Sequence, residues 1–321
     1  MRSAIRQTFL GALALLATVG AVAAPKAYVG NFRDSTVSVI DTGTNAVVAT
    51  VPVATGPHGM AITADGRTVY VASDGTSLLN IIDTASDKVT GTIEIGKAPH
   101  GLALTPDGRL LLAAINGEDK VALVDTHTQV VVATLPVPKP HTVAVRPDGK
   151  FAYVSSQLAG NFALVVIDLK KRVIARSVPL EQQPRDIEFS HDGKALYFTL
   201  AGVDAVQVLD PVTDKVIAQV ASGASPHIAT FFHAAKFGTA VVQGPGELLL
   251  FDAKKNVPLR SIPVGNKPHW LASGDGKTVY VTNEGSNDVT VVDLATAQTK
   301  TIAVGNAPRK IVVQPEANEE Y

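Results

Sequence analysis

A proline followed by a histidine or an arginine recurs seven times along the chain: Pro57-His58, Pro99-His100, Pro140-His141, Pro184-Arg185, Pro226-His227, Pro268-His269 and Pro308-Arg309. Successive prolines stand 42, 41, 44, 42, 42 and 40 residues apart, so five of the eight histidines share one position of a repeat. Two chemistries suit such a set once the fold gathers it. Neutral imidazoles ligate copper or zinc, provided that three or more converge with their nitrogens roughly 2.0–2.1 Å from the ion. Alternatively, Arg185 and Arg309 stay charged and can grip a carboxylate or phosphate as a fork. The histidines would then add charge as pH falls from about 7 toward 6, with mutual crowding lowering their pKa values. Arginine at the fourth and seventh positions breaks the symmetry of a metal shell and favours the anion. The bland alternative is a repeat that needs any polar residue after its proline. The seven positions hold only His and Arg, never Ser, Asn, Gln or Lys, which argues against it.

The elements that position this set are short strands. After Pro99 an alternating run, Gly101 to Thr105, meets the turn Pro106-Asp107-Gly108. Arg109 to Ile115, Lys120 to Asp125 and Gln129 to Val137 then follow as three more strands, separated by Asn-Gly-Glu-Asp and Thr-His-Thr turns. Short β-branched runs bounded by Gly, Pro, Asn and Asp mark strands and turns. No window beyond the first two dozen residues carries a helical period. Third strands end in Asp41, Asp83, Asp125, Asp168, Asp210, Asp252 and Asp293, and every strand type counts seven. A strand-rich period near 42 identifies propeller blades. The chain begins with a second strand and ends with a first, Lys310 to Val313, so its two ends are expected to complete one blade together. The expected fold is therefore all-β, a seven-bladed β-propeller of four-stranded antiparallel blades, with the Pro-His/Arg residues around one channel mouth.

Composition narrows the function. Arg2 and Arg6 precede the apolar run Phe9 to Val22 and the small residues Ala21-Val22-Ala23-Ala24, the pattern of a secretory signal peptide. Cleavage is expected after Ala23, leaving residues 24–321 as one domain, periplasmic or secreted, with no membrane span. Cysteine is absent, which excludes disulfides, thiolate metal and Fe–S sites, c-type haem attachment and a cysteine nucleophile. Removing Arg2 and Arg6 leaves 26 basic against 29 acidic residues. With no Lys/Arg-rich run and 5% aromatics, this argues against nucleic acid as a partner.

At Tyr280-Val-Thr-Asn283 the pattern becomes specific. The stretch from Val264-Gly-Asn-Lys-Pro-His to Val-Thr-Val-Val-Asp293 resembles the YVTN-type, YncE-like β-propeller repeat, and the resemblance runs over essentially all of residues 24–321. It implies an exported propeller and leaves function open, because propellers host unrelated activities. The blade starting at Pro226 departs from the pattern, with Ala234-Ala-Lys-Phe-Gly238 in place of a Pro-Asp-Gly turn, beside Phe231, Phe232 and His233. Histidine-bound copper propellers such as nitrous-oxide reductase are much longer, and d1-haem propellers have eight blades.

Other candidates are weaker. The Asp residues that recur at strand ends and before turn glycines suit backbone capping. Loop acids expected on the ring face are Asp34, Asp74, Glu118, Asp119, Asp204, Glu247, Glu284 and Asp288, any of which could pair with a histidine for acid–base work. Met60 sits where other repeats hold Leu102, Val143, Ile187, Ala229, Leu271 and Ile311, a core position. Trp270 stands beside His269 and could pack a ligand. His127, His191 and His233 fall outside the ring. The expected function is a binding module holding a small anionic ligand, a metal or a protein partner at the mouth. The alternatives are a copper- or zinc-dependent oxidoreductase, lactonase or lyase, and an interaction scaffold with a structural ring.

Overall fold

A computed structural model describes residues 24–232 and 237–316; residues 1–23, where a signal peptide is expected, and His233 lie outside them. Strands β1 to β28, in chain order, form seven four-stranded antiparallel sheets. One 3-10 turn, Asn116–Glu118, is the sole helical element among the described residues. The closing sheet is made of β28 (Pro308–Val313), β1 (Lys26–Asn31), β2 (Thr36–Asp41) and β3 (Ala46–Pro52), in that order, with Ala27 opposite Val313. The circle is thus sealed by hydrogen bonds between the two ends of the chain, leaving no long free edge. Among the described residues no helix is long and apolar enough to cross a membrane.

Each blade begins on the proline. The inner strands are β4 (Pro57–Ile62), β8 (Pro99–Leu104), β12 (Pro140–Val145), β16 (Pro184–Phe189), β20 (Pro226–Phe231), β24 (Pro268–Ala272) and β28. Neighbours pack in that order and β28 returns to β4, so the seven inner strands enclose a channel. The second and third strands carry continuous Val, Ile, Leu and Ala runs because both their faces are covered. Leu112 and Leu123 of one blade, for example, pack on Val143, Val154 and Ile167 of the next. Met60 is fully buried in the same kind of inter-blade core.

Tyrosines of the second strands latch adjacent blades. The hydroxyl of Tyr28 donates to Asp87 at 2.7 Å, Tyr153 to Asp214 at 3.3 Å, Tyr197 to Asn256 at 3.4 Å and Tyr280 to Asn45 at 2.9 Å. Each acceptor lies in the turn between the third and fourth strands of the following blade, in the left-handed conformation that Asn and Asp tolerate. Tyr280 to Asn45 crosses the seam where the chain ends meet. The recurring Asp residues behave as expected: Asp41, Asp125 and Asp293 each accept backbone N–H bonds from their own turns, as Asp65, Asp107 and Asp148 do in the hairpins.

Candidate functional site

The mouth is shaped by three local devices. The residue before the proline adopts a left-handed φ at Gly56, Ala98, Lys139, Ser225, Lys267 and Ala307, which turns the chain sharply inward. In every inner strand the pairing with its neighbour then slips immediately after the proline. Such bulges re-aim one side chain, and here they aim the His or Arg. Finally, second-strand hydroxyls hold the backbone of ring residues one blade on: Thr199 donates to the His227 carbonyl at 2.5 Å, and Thr282 to that of Arg309 at 2.6 Å.

Close approach follows where the next residue is glycine. A Cβ at Gly59 would lie 1.8 Å from the His100 carbonyl oxygen, and one at Gly101 would lie 2.6 Å from that of His141. The imidazoles of these strands accordingly stack: the ring centroids of His58 and His100 are 3.6 Å apart, and those of His100 and His141 are 4.1 Å apart. His227 and His269 stack at 4.2 Å on the other side. His58 bridges the two groups, 5.8 Å from His269 and 6.3 Å from His141, with planes inclined 83° and 73°.

All five histidines line one cavity of about 260 Å³, walled by residues of all seven inner strands. Neither arginine lines it. Arg309 lies over the Phe32 ring at 3.6 Å and pairs with Glu284 at 3.2 Å, while Arg185 donates to Ser225 at 2.9 Å. The sequence placed seven cationic positions around one mouth; the structure gathers the imidazoles and directs the two guanidiniums to other partners. Arg309 is held back by the preceding blade's loop acid and by an aromatic face, a combination that repeat spacing does not reveal.

Burial is the main cause holding His58, His100 and His269 well below the usual histidine pKa, with neighbouring histidines and Arg309 adding to it. For His141 burial again lowers the value, against an opposing pull from Asp186. These four imidazoles are therefore neutral at pH 7. His100, His141 and His269 each keep a buried Nδ1 with no hydrogen-bond partner.

Sequence reasoning missed the charged groups inside the cavity. Asp186, only 2% exposed, places Oδ2 2.6 Å from His227 Nδ1. The approach is off the line of the ring N–H, so it is a close contact rather than a hydrogen bond, and neither carboxylate oxygen has an aligned donor. Deeper on the same strand stands Glu188, and across the channel Lys310 rests its Nζ 3.0 Å from the Trp270 ring centroid. A signal existed. Glu188 occupies a position that other repeats fill with Ala61, Ala103, Ala144, Thr230, Ala272 and Val312. Asp186 aligns with Gly59, Gly101, Thr142, Ile228, Trp270 and Lys310. A charge in an otherwise small or apolar slot facing a channel is the anomaly to look for.

The ring nitrogens do not yet surround a common point: among the described residues no three His, Asp or Glu side chains form a ready metal cage. The loop acids are mostly engaged. Asp34 accepts from the backbone of Asn306, Glu118 from Lys97, Asp119 from Lys139, Asp204 from Ser225, and Asp288 from the Asn283 side chain. Asp74 has its pKa raised by burial. Trp270 does line the cavity, and His127 lies in a turn held by Asp125.

Fold and site together define a seven-bladed β-propeller with a histidine-lined channel mouth. The YNCE-like beta-propeller family model matches residues 1–108, and the four-stranded repeat found there continues through all seven blades. A PE-PGRS family protein of Mycobacterium tuberculosis is 45% identical over 51 residues, 16% of this chain and 11% of that protein's length. Among solved structures, hydrazine synthase of Kuenenia stuttgartiensis superposes with a TM-score of 0.77 at 20% identity, covering 89% of this chain and 99% of that one. A functionally unknown protein from Desulfotomaculum acetoxidans gives 0.76 at 14% identity, over 91% and 99%. At these identities the likeness is one of fold.

Proposed function

We propose that this is an exported binding module that captures a divalent transition-metal ion of the zinc or copper type at the histidine ring. The observation that carries the reading is five imidazoles at one cavity mouth, four of them kept neutral, three with a buried and unpaired Nδ1. Neutral imidazole is the form that ligates, and an orphaned buried ring nitrogen calls for a partner. Stacked rings become ligands by rotating about χ1 and χ2, which the cavity below leaves room for.

Electrostatics favour a cation over an anion. Both guanidiniums are engaged elsewhere, four of the five histidines carry no charge near neutrality, and Asp186 adds negative charge to the wall. A small rotation of His227 would bring its Nδ1–H onto Asp186, the carboxylate–histidine arrangement that fixes a ligating imidazole and raises its basicity. Titration calorimetry of metal-free protein with zinc chloride and copper sulfate tests the reading. Stoichiometric binding, abolished by replacing His100, His141 and His227 together with Ala, supports it; equal heats for both proteins refute it.

A further inference from the structure

Below the ring the channel carries a pair of opposite charges that the metal reading does not use. Glu188 belongs to β16 and Lys310 to β28, which are three steps apart around the seven inner strands and therefore face each other across the cavity. Among the described residues neither makes an ion pair. The Lys310 ammonium sits on the face of Trp270, and Glu188 and Asp186 act on it only through space. The walls between them are apolar: Leu102, Leu104, Val143 and Val145. A volume of about 260 Å³ is just under the ~300–1,000 Å³ of pockets for drug-sized ligands, which limits the occupant to a small molecule.

From this geometry we infer that the cavity beneath the ring is a binding site for a small zwitterion of the amino-acid or betaine type. Its cationic end faces Glu188 and the free Oδ1 of Asp186, its carboxylate faces the Lys310 ammonium, and its apolar part lies against Trp270 and the Leu/Val wall. Two half-buried charges of opposite sign that form no ion pair are each poorly solvated, and a ligand carrying the complementary pair compensates both at once. Burial pushes Glu188 up and Lys310 down, and their mutual attraction only partly opposes it. Asp186 is almost completely buried, lines this cavity and has no aligned donor on either oxygen, a second indication that the wall awaits a ligand with N–H or N⁺ groups.

The site uses the tier below the ring and shares Asp186 and the cavity with the metal reading, but it is tested with no metal present. Its test is titration calorimetry on the metal-free, signal-free chain at pH 7.5, with the twenty L-amino acids and glycine betaine as probes. Each probe that binds is repeated as its amine-only and carboxylate-only analogues. The expected result is saturable binding of at least one zwitterion, weakened at least about tenfold in either single-charge analogue. Lys310→Met and Glu188→Gln should each weaken it by a similar factor. Because the analogues probe the unmodified protein, a variant that misfolds does not spoil the comparison. No binding by any probe, or analogues that bind as well as their parent, would overturn the inference.

Discussion

Asp186 Oδ2 and His227 Nδ1 stand 2.6 Å apart on neighbouring inner strands, a contact that links the histidine ring to the charged tier beneath it. A carboxylate at Nδ1 leaves Nε2 as the nitrogen offered to the channel. Asp186→Asn removes the charge and keeps the shape. Outer-shell carboxylates of this kind typically change metal affinity by about 10- to 100-fold, so zinc binding measured by competition with a chromophoric chelator should weaken by that order. Unchanged affinity would show that His227 needs no such partner.

Acid should destabilise the protein earlier than its carboxylates alone require. His58, His100, His141 and His269 have folded pKa values below the free value of 6.5. Below pH 6.5 the unfolded chain therefore takes up more protons than the folded one, and stability falls as pH drops from there. The Asp groups with lowered pKa begin to contribute only further down, while Glu188, raised by burial to about 7, opposes the histidines between pH 6.5 and 5, so it is the difference between native and variant curves that reports the ring. Thermal midpoints across that interval should decline in the native protein and decline less in His58→Gln/His100→Gln/His269→Gln. Parallel curves would mean that the ring titrates as if exposed.

Gly59 and Gly101 set the spacing of the stacked imidazoles. Alanine at either position drives a methyl into a neighbouring carbonyl oxygen, and overpacking of this sort costs about 1–3 kcal/mol or more. Denaturant unfolding of Gly59→Ala and Gly101→Ala should show that loss together with weaker metal binding. A neutral Gly59→Ala would imply that the inner strands can separate freely.

The Tyr280–Asn45 latch closes the ring between the first and last complete portions of the chain. Tyr280→Phe should lower stability by about 0.5–1.5 kcal/mol, the net worth of an ordinary hydrogen bond. Tyr28→Phe, which deprives Asp87 of its donor, should cost at least as much, since charged acceptors make the stronger bonds.

The blade count, the shared closing blade and the placement of the five histidines were legible in the sequence because they rest on a repeat: the proline marks the inner strand and the next residue marks the mouth. Asp41 and its equivalents were legible as turn caps for the same reason. Repeats conceal what occurs once. Asp186, Glu188 and Lys310 break the pattern singly, on two strands far apart in sequence, and only closure of the ring sets them against one another. The departure of Arg309 also depends on closure, since Phe32 comes from the opposite end of the chain. Burial of the ring, which decides that the imidazoles are neutral, is a property of how tightly seven inner strands approach, and spacing along the chain does not report it.

The central claim is that the histidine ring holds a metal ion. The most direct measurement is elemental analysis by inductively coupled plasma mass spectrometry of untagged mature protein, offered zinc and copper and then desalted. Near-stoichiometric metal in the native protein, lost from the His100/His141/His227 triple Ala variant, is the predicted result. Metal at background in both, with the variant folded and the native ring intact, would contradict it.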